Sequence, residues 1–259
     1  MKAIKYKPIK AVITGLESGI NLADLLSERL ATPTNGTVKT QARTDKFQMA
    51  EALSASGLKT AKYFKSNDFN KILYWIKNNT TYPVVLKPLS SGGTDGVFIC
   101  MDDTEAKEAF KNILSSPKSL FGKKNVEVLV QSYLHGTEYI VNTVSCNGFH
   151  YVTDIWEYKK RLINGKPIYD RELLLSSNGS IQSMLIPYVF NVLDALDIKY
   201  GAAHHEVMLT KDGPVLVEVG ARVGGNVVPQ LHSEILHHNQ AELSIYSYLS
   251  PKLFKEWVL

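Results

Sequence analysis

The chain has 259 residues, of which 44% are hydrophobic and 21% charged, with a formal net charge of +4 and two cysteines. That is enough apolar sequence to bury the core of one large or two small domains, and it excludes wholesale disorder. The small positive excess suits an anionic small molecule and falls short of a nucleic-acid-binding balance, and no apolar run is long enough for a transmembrane helix. Cys100 and Cys146 lie far apart and match no metal-ligand spacing, so they read as free thiols of a reducing compartment. The basic start, residues 1–8, lacks the apolar core and cleavage site of a signal peptide, which makes the cytoplasm the expected location.

In chain order, residues 10–14 (Lys-Ala-Val-Ile-Thr) read as a short buried strand, followed by Gly15 and a helix over 20–30 with apolar residues at helical spacing. One such pair is only a piece of an α/β domain. Residues 31–37 form a turn-rich connector. A helix is expected over 43–56, with Thr44 as its cap and Gly57 as its stop. Lys46 falls in its first turn, the wrong end of the helix dipole for a cation, which hints at a functional lysine beside the plain solvated reading. A short extended piece (59–64) and a helix (69–77) lead to the apolar strand 82–88, which ends on Lys87 and Pro88. Next comes Leu89-Ser-Ser-Gly-Gly-Thr-Asp-Gly-Val97, a loop of small residues ahead of strand 97–101. Such a loop is either a structural turn or a cradle of backbone amides for phosphates, with Lys87 adding a point charge, and it is not a Walker loop.

Further on, the pattern predicts a helix over 103–114 capped by Thr104, then strands over 126–131, 137–146 and 149–158, the last two joined at Asn147-Gly148. Residues 159–166 are polar and basic and read as a surface loop or flap. A long helix over 179–196 contains Pro187, a candidate kink. Two apolar runs then carry one acid each, Glu206 and Glu218, on either side of a turn at Asp212-Gly213. They read as a hairpin that ends in Gly-Ala-Arg222-Val-Gly-Gly. Residues 229–248 read as a final helix.

One arrangement unites these features. Lys46 and Lys87 are two cations, the second flanked by the amide-rich loop. The bend at Gln131, Ser132, Tyr133 and Leu134 offers backbone groups to an adenine edge, and Glu138 follows to accept ribose hydroxyls or to stand as a solvated acid. Glu206 and Glu218 suit Mg2+, or else pair with Arg222 or a lysine. Arg222 stands where it would steady a transferring phosphoryl group. His204 and His205 are strand neighbours that point to opposite faces, which argues against a shared His-metal site.

These segments, in this order, resemble the ATP-grasp superfamily. Glu218-Val-Gly-Ala-Arg-Val-Gly-Gly225 and Tyr200-Gly-Ala-Ala-His-His-Glu-Val207 are most similar to the L-amino-acid ligase group. The resemblance implies an α+β ATP-grasp fold, in which two subdomains with antiparallel sheets clasp a nucleotide behind a remnant of an α/β domain. The implied division is residues 1–40 (remnant and linker), 41–130 (central subdomain) and 131–259 (metal-binding subdomain). It also implies ATP and Mg2+ (two ions, or Mn2+ in their place). Lys46, Lys87, Ser90, Ser91, Gly92, Gly93 and Gly96 would lie at the phosphates, Gln131, Ser132, Tyr133, Leu134 and Glu138 around the nucleoside, and Glu206 and Glu218 at the metal. Arg222 and Lys87 would act in catalysis. The implied reaction activates a carboxylate, expected to be that of an amino acid, as an acyl phosphate and joins it to an amine.

Gly220 stands where many relatives carry Asn, so Asn226 is the candidate third metal ligand, and Gln131 stands where an acid is common. Family members are usually longer, so the chain is expected to be shortened at both ends, with a homodimer or a partner chain as a source of the missing parts. A non-catalytic ATP-binding module and a bicarbonate-using carboxylase relative are the competing functions. No nucleic-acid or membrane partner is expected.

Overall fold

The structure, a computed structural model, describes residues 8–116, 118–122, 124–163, 166–225 and 227–258. The strand expected over 10–14 does not form. Residues 8–14 have no regular structure and are half-buried or exposed. A short apolar run becomes a strand only where a sheet edge takes its N–H and C=O groups, and neither sheet extends to it. A single 3-10 turn at Glu17–Gly19 leads into α1 (Ile20–Arg29).

The helix expected over 43–56 is two helices, α2 (Thr40–Thr44) and α3 (Lys46–Ala55). Asp45 between them is extended, and its carboxylate accepts from the amides of Phe47 and Gln48, so Asp45 rather than Thr44 is the cap. Gly57, at φ +74°, ends the helix as expected.

Four strands make the first sheet: β1 (Tyr63–Ser66), β2 (Val84–Pro88), β3 (Phe98–Cys100) and β4 (Val128–Ser132). They run antiparallel in the order β1-β4-β2-β3. Two helices, α4 (Phe69–Asn79) and α5 (Asp103–Ser115), bury Ile72, Ile76, Phe110 and Ile113 against Val84, Leu86, Val128 and Val130. The cap of α5 is Asp102, one residue before the helix and two before the expected Thr104.

The second sheet is a five-stranded antiparallel meander with the order β7-β6-β5-β8-β9. Its strands are β5 (Gly136–Cys146), β6 (Phe149–Ile163), β7 (Lys166–Leu174), β8 (Tyr200–Thr210) and β9 (Gly213–Gly220). The polar stretch expected to be a loop over 159–166 instead contributes the end of β6 and the first residue of β7. Lys159 pairs with Arg171 in register, and Arg161 forms an ion pair with Asp170. Cross-strand backbone bonds hold this arm where apolar alternation is absent, so the periodicity carried no sign of it.

Side chains alternate across this sheet. One face, with Tyr139, Val141, Val207 and Val219, packs on α6 (Ser180–Ala195), which runs through Pro187 as one helix, and on Met49 and Leu53 of α3. The other face carries Glu138, Asn142, His204 and Glu206. Its far end, Val144 and Ala202, is covered by Leu243 and Phe254. These two come from α8 (Gln240–Leu249) and α9 (Pro251–Val258), which follow α7 (Pro229–Leu236). The helix expected over 229–248 is therefore split. His237 takes a left-handed conformation (φ 62°), and Asn239 caps α8. No described helix is long and apolar enough to cross a membrane.

The amino-terminal segment is pinned to this body by a buried ion pair. Arg43 donates to Asp24 Oδ2 (2.9 Å) and to the carbonyl of Leu196 (2.8 Å), while Thr40 donates to the same carboxylate (2.7 Å). Asp24→Ala would strand the Arg43 guanidinium in the interior. Breaking one side of such a pair costs about 3–5 kcal/mol, so the midpoint of urea unfolding is expected to fall accordingly. A change under about 0.5 kcal/mol, the level of an ordinary surface substitution, would contradict the pinning role.

Candidate active site

The open end of the second sheet's polar face is where the cations and acids meet. In the β8–β9 register Glu206 lies directly opposite Glu218, and the ladder shifts between Glu206 and Val207. Like charges in that position repel. Lys46, at the start of α3, reaches across to donate to Glu218 Oε1 at 2.7 Å and also donates to the carbonyl of Ser91. The backbone amide of Lys46 donates to the Leu89 carbonyl (2.8 Å), so one residue ties α3, the glycine loop and the acid hairpin together. The cation at the wrong end of its helix is thus accounted for. It is buried and serves the carboxylate instead of the helix.

Lys87, near the end of β2, is 5% exposed. Burial, and next the neighbouring Lys46 charge, lower its pKa to about 8, against the opposing pull of Glu218, Glu206 and Glu138. Those three acids therefore face the same lysine. Glu138 is 7% exposed and shares the sheet face of Glu206. The loop 89–97 folds over this group. Ser91 Oγ donates to Asp95 Oδ2 (2.5 Å), which also accepts from the Leu120 amide (3.1 Å). Gly93, Thr94 and Gly96 have positive φ. Beneath the loop, Lys46, Lys87, Ser91, Gly92, Asp95 and Glu218 line a cleft of about 20 Å³, with room for a water and none for a phosphate chain.

Arg222 lies four residues beyond Glu218. Its amide donates to Gly220 O (2.8 Å) and its guanidinium donates to Val223 O (3.1 Å). A Cβ on Gly220 would lie 3.2–3.4 Å from guanidinium atoms of Arg222, so glycine at this position gives the arginine its seat. The guanidinium also lies 3.5 Å from Glu17 Oε2. Burial, and next the charge of Glu218, raise the Glu17 pKa, while Lys46 and Arg222 lower it. Glu17 precedes α1 in a stretch with no sequence signal beyond its charge, and only the fold brings it here.

The adenine-side candidates sit at the junction of the two sheets. Gln131 and Ser132 end β4, and Tyr133 and Leu134 form the link to β5, all half-buried. The Ser132 amide donates to Lys62 O (2.9 Å), so it is committed to the chain's own backbone. Ser90 and Ser91 begin the loop, and Gly92 packs near Phe121 and Glu17. Asn226 lies outside the described residues.

His204 and His205 point to opposite faces, as their spacing requires. His204 Nδ1 bonds Asn142 Oδ1 (2.8 Å), and its Nε2 is 4.0 Å from Glu206 Oε1. Burial, then Arg222 and His205, lower its pKa to about 3, so the ring is neutral. His205 is buried in the core with Nδ1 on Val141 O (2.8 Å), and burial lowers its pKa to about 4. Tyr158 was not singled out by its sequence context. It is buried, and burial, then Glu172, Glu206 and Glu138, raise its pKa.

Among the described residues no group of three His, Cys, Asp or Glu side chains forms a ready-made metal cage. A pair of carboxylates suffices for Mg2+, which keeps waters and takes phosphate oxygens as its other ligands. The Lys46 ammonium on Glu218 holds the place of a positive charge there, so the donor set fits such an ion.

The family described as "ATP-grasp domain" matches residues 80–230. The chain is 39% identical over 247 residues to dapdiamide A synthase of Enterobacter agglomerans, covering 95% of this chain and 58% of that protein. It is 20% identical over 258 residues to the L-arginine-specific L-amino acid ligase of Bacillus subtilis, covering 98% of this chain and 61% of that one. The crystal structure of an L-amino acid ligase from Bacillus licheniformis superposes with a TM-score of 0.79 at 21% identity, over 100% of this chain and 61% of the other. The chain thus spans about three-fifths of the length of these relatives.

A pH test follows from Lys87. Its folded-state value of about 8 lies below the ordinary 10.5, so between those values the unfolded chain binds the extra proton and stability from this group rises with pH. The stability of the wild type relative to Lys87→Met, measured by urea unfolding, is expected to increase by roughly 3 kcal/mol from pH 8 to 10.5. A difference that stays flat across that window would show Lys87 to be ordinarily solvated.

Proposed function

Because the chain belongs to the ATP-grasp family, we propose that it is an ATP- and Mg2+-dependent ligase that joins a carboxylate to an amine, with amino acids as substrates. The observation that carries this reading is the register that sets Glu206 against Glu218 with the Lys46 ammonium on one of them. Two acids held that close, beside two buried lysines and an arginine, form a receptor for a metal-bound polyphosphate. The names of the relatives point the same way, since dapdiamide A synthase and the L-arginine-specific L-amino acid ligase are both named for joining reactions.

In this reading Glu206 and Glu218 hold Mg2+, two ions or Mn2+ in their place, with Asn226 as a further ligand. Bound there, the metal neutralises charge between the carboxylate substrate and the triphosphate. Lys46 and Lys87 bind phosphate oxygens, and the loop from Ser90 through Gly96 lays its amides over them. Gln131, Ser132, Tyr133 and Leu134 flank the adenine, the Ser132 contact falling to its side chain or carbonyl. Glu138 takes the ribose hydroxyls.

The substrate carboxylate oxygen attacks the γ-phosphorus, and ADP leaves. The amine then attacks the acyl carbon, loses a proton, and expels phosphate. Arg222 stabilises the negative charge that develops on the acyl phosphate and on the tetrahedral carbon. Residues 41–130 and 131–259 are the two halves of the clasp, behind the 1–40 segment that delivers Glu17. A homodimer or a complex with a partner chain is the assembly that goes with this reading. The two buried free thiols suit a reducing compartment, the cytoplasm.

Phosphate release screened over pairs of amino acids, with the product identified by mass spectrometry, tests the reading. A pair-dependent rate with a dipeptide product is expected. Release that depends on bicarbonate alone would move the chain to the carboxylases, and ATP binding without turnover under any condition would make it a binding module. Arg222→Ala is expected to keep ATP affinity within about 2-fold while amide formation falls by about 100-fold or more, the loss typical of a transition-state donor. Weakened ATP binding with unchanged catalysis would refute its role.

A further inference from the structure

The first sheet ends on β1, two strands away from the strand that carries Lys87. β1 pairs with β4 along one side only. The Ser132 amide donates to Lys62 O (2.9 Å) and the Lys62 amide donates to Ser132 Oγ (3.0 Å), so residues 62 and 132 turn their bonding groups toward each other. An antiparallel ladder alternates from there. Phe64 and Ser66 turn their N–H and C=O groups toward β4, and Tyr63 and Lys65 turn theirs outward. Among the described residues no hydrogen bond uses these outward groups. An unpaired edge of this kind is a template for another strand.

Beside that edge runs a groove of about 430 Å³, lined by Phe64 of β1 and by Asn70, Lys71, Tyr74, Trp75 and Asn79 of α4. α4 returns along β1, since it starts just after that strand and Lys62 Nζ donates to Asn79 O (2.6 Å) at its far end. Phe64 and Trp75 stack in the groove (ring centroids 6.1 Å, 12°), and Tyr74 stands 71% exposed beside them. Lys71 is in the first turn of α4, at the Ser66 end. It is the charged residue of the lining, and among the described residues it has no ion pair.

We propose that this groove docks an extended acidic segment of another polypeptide, which adds a fifth strand to the first sheet. Main-chain bonds to Tyr63 and Lys65 fix its register, and side-chain alternation fixes its motif. A residue opposite Phe64 shares the face of that ring and lies on Trp75 and Tyr74, so it is apolar. A residue opposite Ser66, two along on the same face, reaches Lys71, so it is an acid. In the antiparallel sense of this sheet the motif reads acid-x-apolar. A second copy of the chain is the wrong occupant. β1 itself reads Tyr-Phe-Lys-Ser, with a lysine and no acid, and pairing it with its own copy would set cations against cations. The groove shares no lining residue with the cleft at Lys46 and Lys87, so a docked segment does not compete for that cleft.

The probe is the amidated hexapeptide Thr-Glu-Val-Phe-Val-Thr with fluorescein at its amino end, titrated with the full chain and read by anisotropy. Binding with a Kd below about 1 mM is expected. N-methylation of the two valines, which face Lys65 and Tyr63, is expected to weaken binding by about 10-fold or more through the loss of two main-chain bonds. The same modification of Glu and Phe, whose amides point away from β1, is expected to leave binding within about 2-fold. Replacing the peptide's Glu with Lys is expected to cost about 10-fold, and Lys71→Glu to reverse that preference. Lys71 is exposed, so this variant keeps the fold, which an unchanged circular dichroism spectrum checks. No binding of the hexapeptide, equal loss from either pair of methylations, or a charge preference untouched by Lys71→Glu overturns the proposal. A self-association of the chain that the hexapeptide dissolves would make a second copy the occupant and overturn it as well.

Discussion

Two carboxylates fixed face to face on neighbouring strands are the constraint on which the site depends. Glu206 and Glu218 have no freedom to separate, because the β8–β9 ladder sets their spacing. Repulsion between them has to be offset by positive charge delivered from outside the hairpin. Lys46 comes from a helix more than a hundred residues upstream, and Lys87 from a different sheet. The acids thereby recruit both halves of the molecule. The glycine loop follows them, since its Ser91 carbonyl shares the Lys46 ammonium. The site is less a pocket cut into one sheet than a charge balance struck between two.

That balance explains the odd chemical states nearby. Lys87 is discharged more easily than a surface lysine because burial and a second cation act on it together. Glu17 is harder to ionise than a surface acid because it shares its surroundings with Glu218. A phosphate chain and a divalent cation would reverse these tendencies by bringing the missing charges of each sign. The buried Asp24–Arg43 pair has a related role at a distance. It fixes the segment that carries Glu17 against a carbonyl after α6, so an otherwise loosely structured amino-terminal stretch places one acid beside Arg222.

Much of this was legible where a residue contradicted its surroundings. Acids inside apolar runs flag Glu206 and Glu218, a cation at a helix start flags Lys46, and Asp212-Gly213 marks the turn that pairs the acids. Legibility failed where local pattern and tertiary pairing diverge. Residues 10–14 have a strand's composition and lack a partner edge. Residues 159–163 have a loop's composition and are held by a neighbouring strand. Thr44 and Asp45 are both good caps, and only the backbone conformation decides between them. His237 breaks a helix through a left-handed turn that its sequence does not advertise. The hydrogen bonds that join Asn142 and Trp156 to Asp154, and Asn142 to His204, are spread over four strand positions whose alternation looks ordinary, and His232 stacks on Trp156 from a separate helix. No linear spacing encodes such a cluster, because its order is set by sheet register.

The closed glycine loop carries a consequence for affinity. With Lys46 bridging Ser91 and Glu218, the cleft holds little more than a water, so this conformation does not admit a phosphate chain and a nucleotide needs an open one. Measured affinity is then the intrinsic affinity multiplied by the fraction of molecules that are open. An open conformation requires the lysine to let go of the loop carbonyl, and a divalent ion competing for Glu218 would favour that release. Metal and nucleotide would in that way help each other to bind through the single ammonium that each of them displaces, over and above the contact between them.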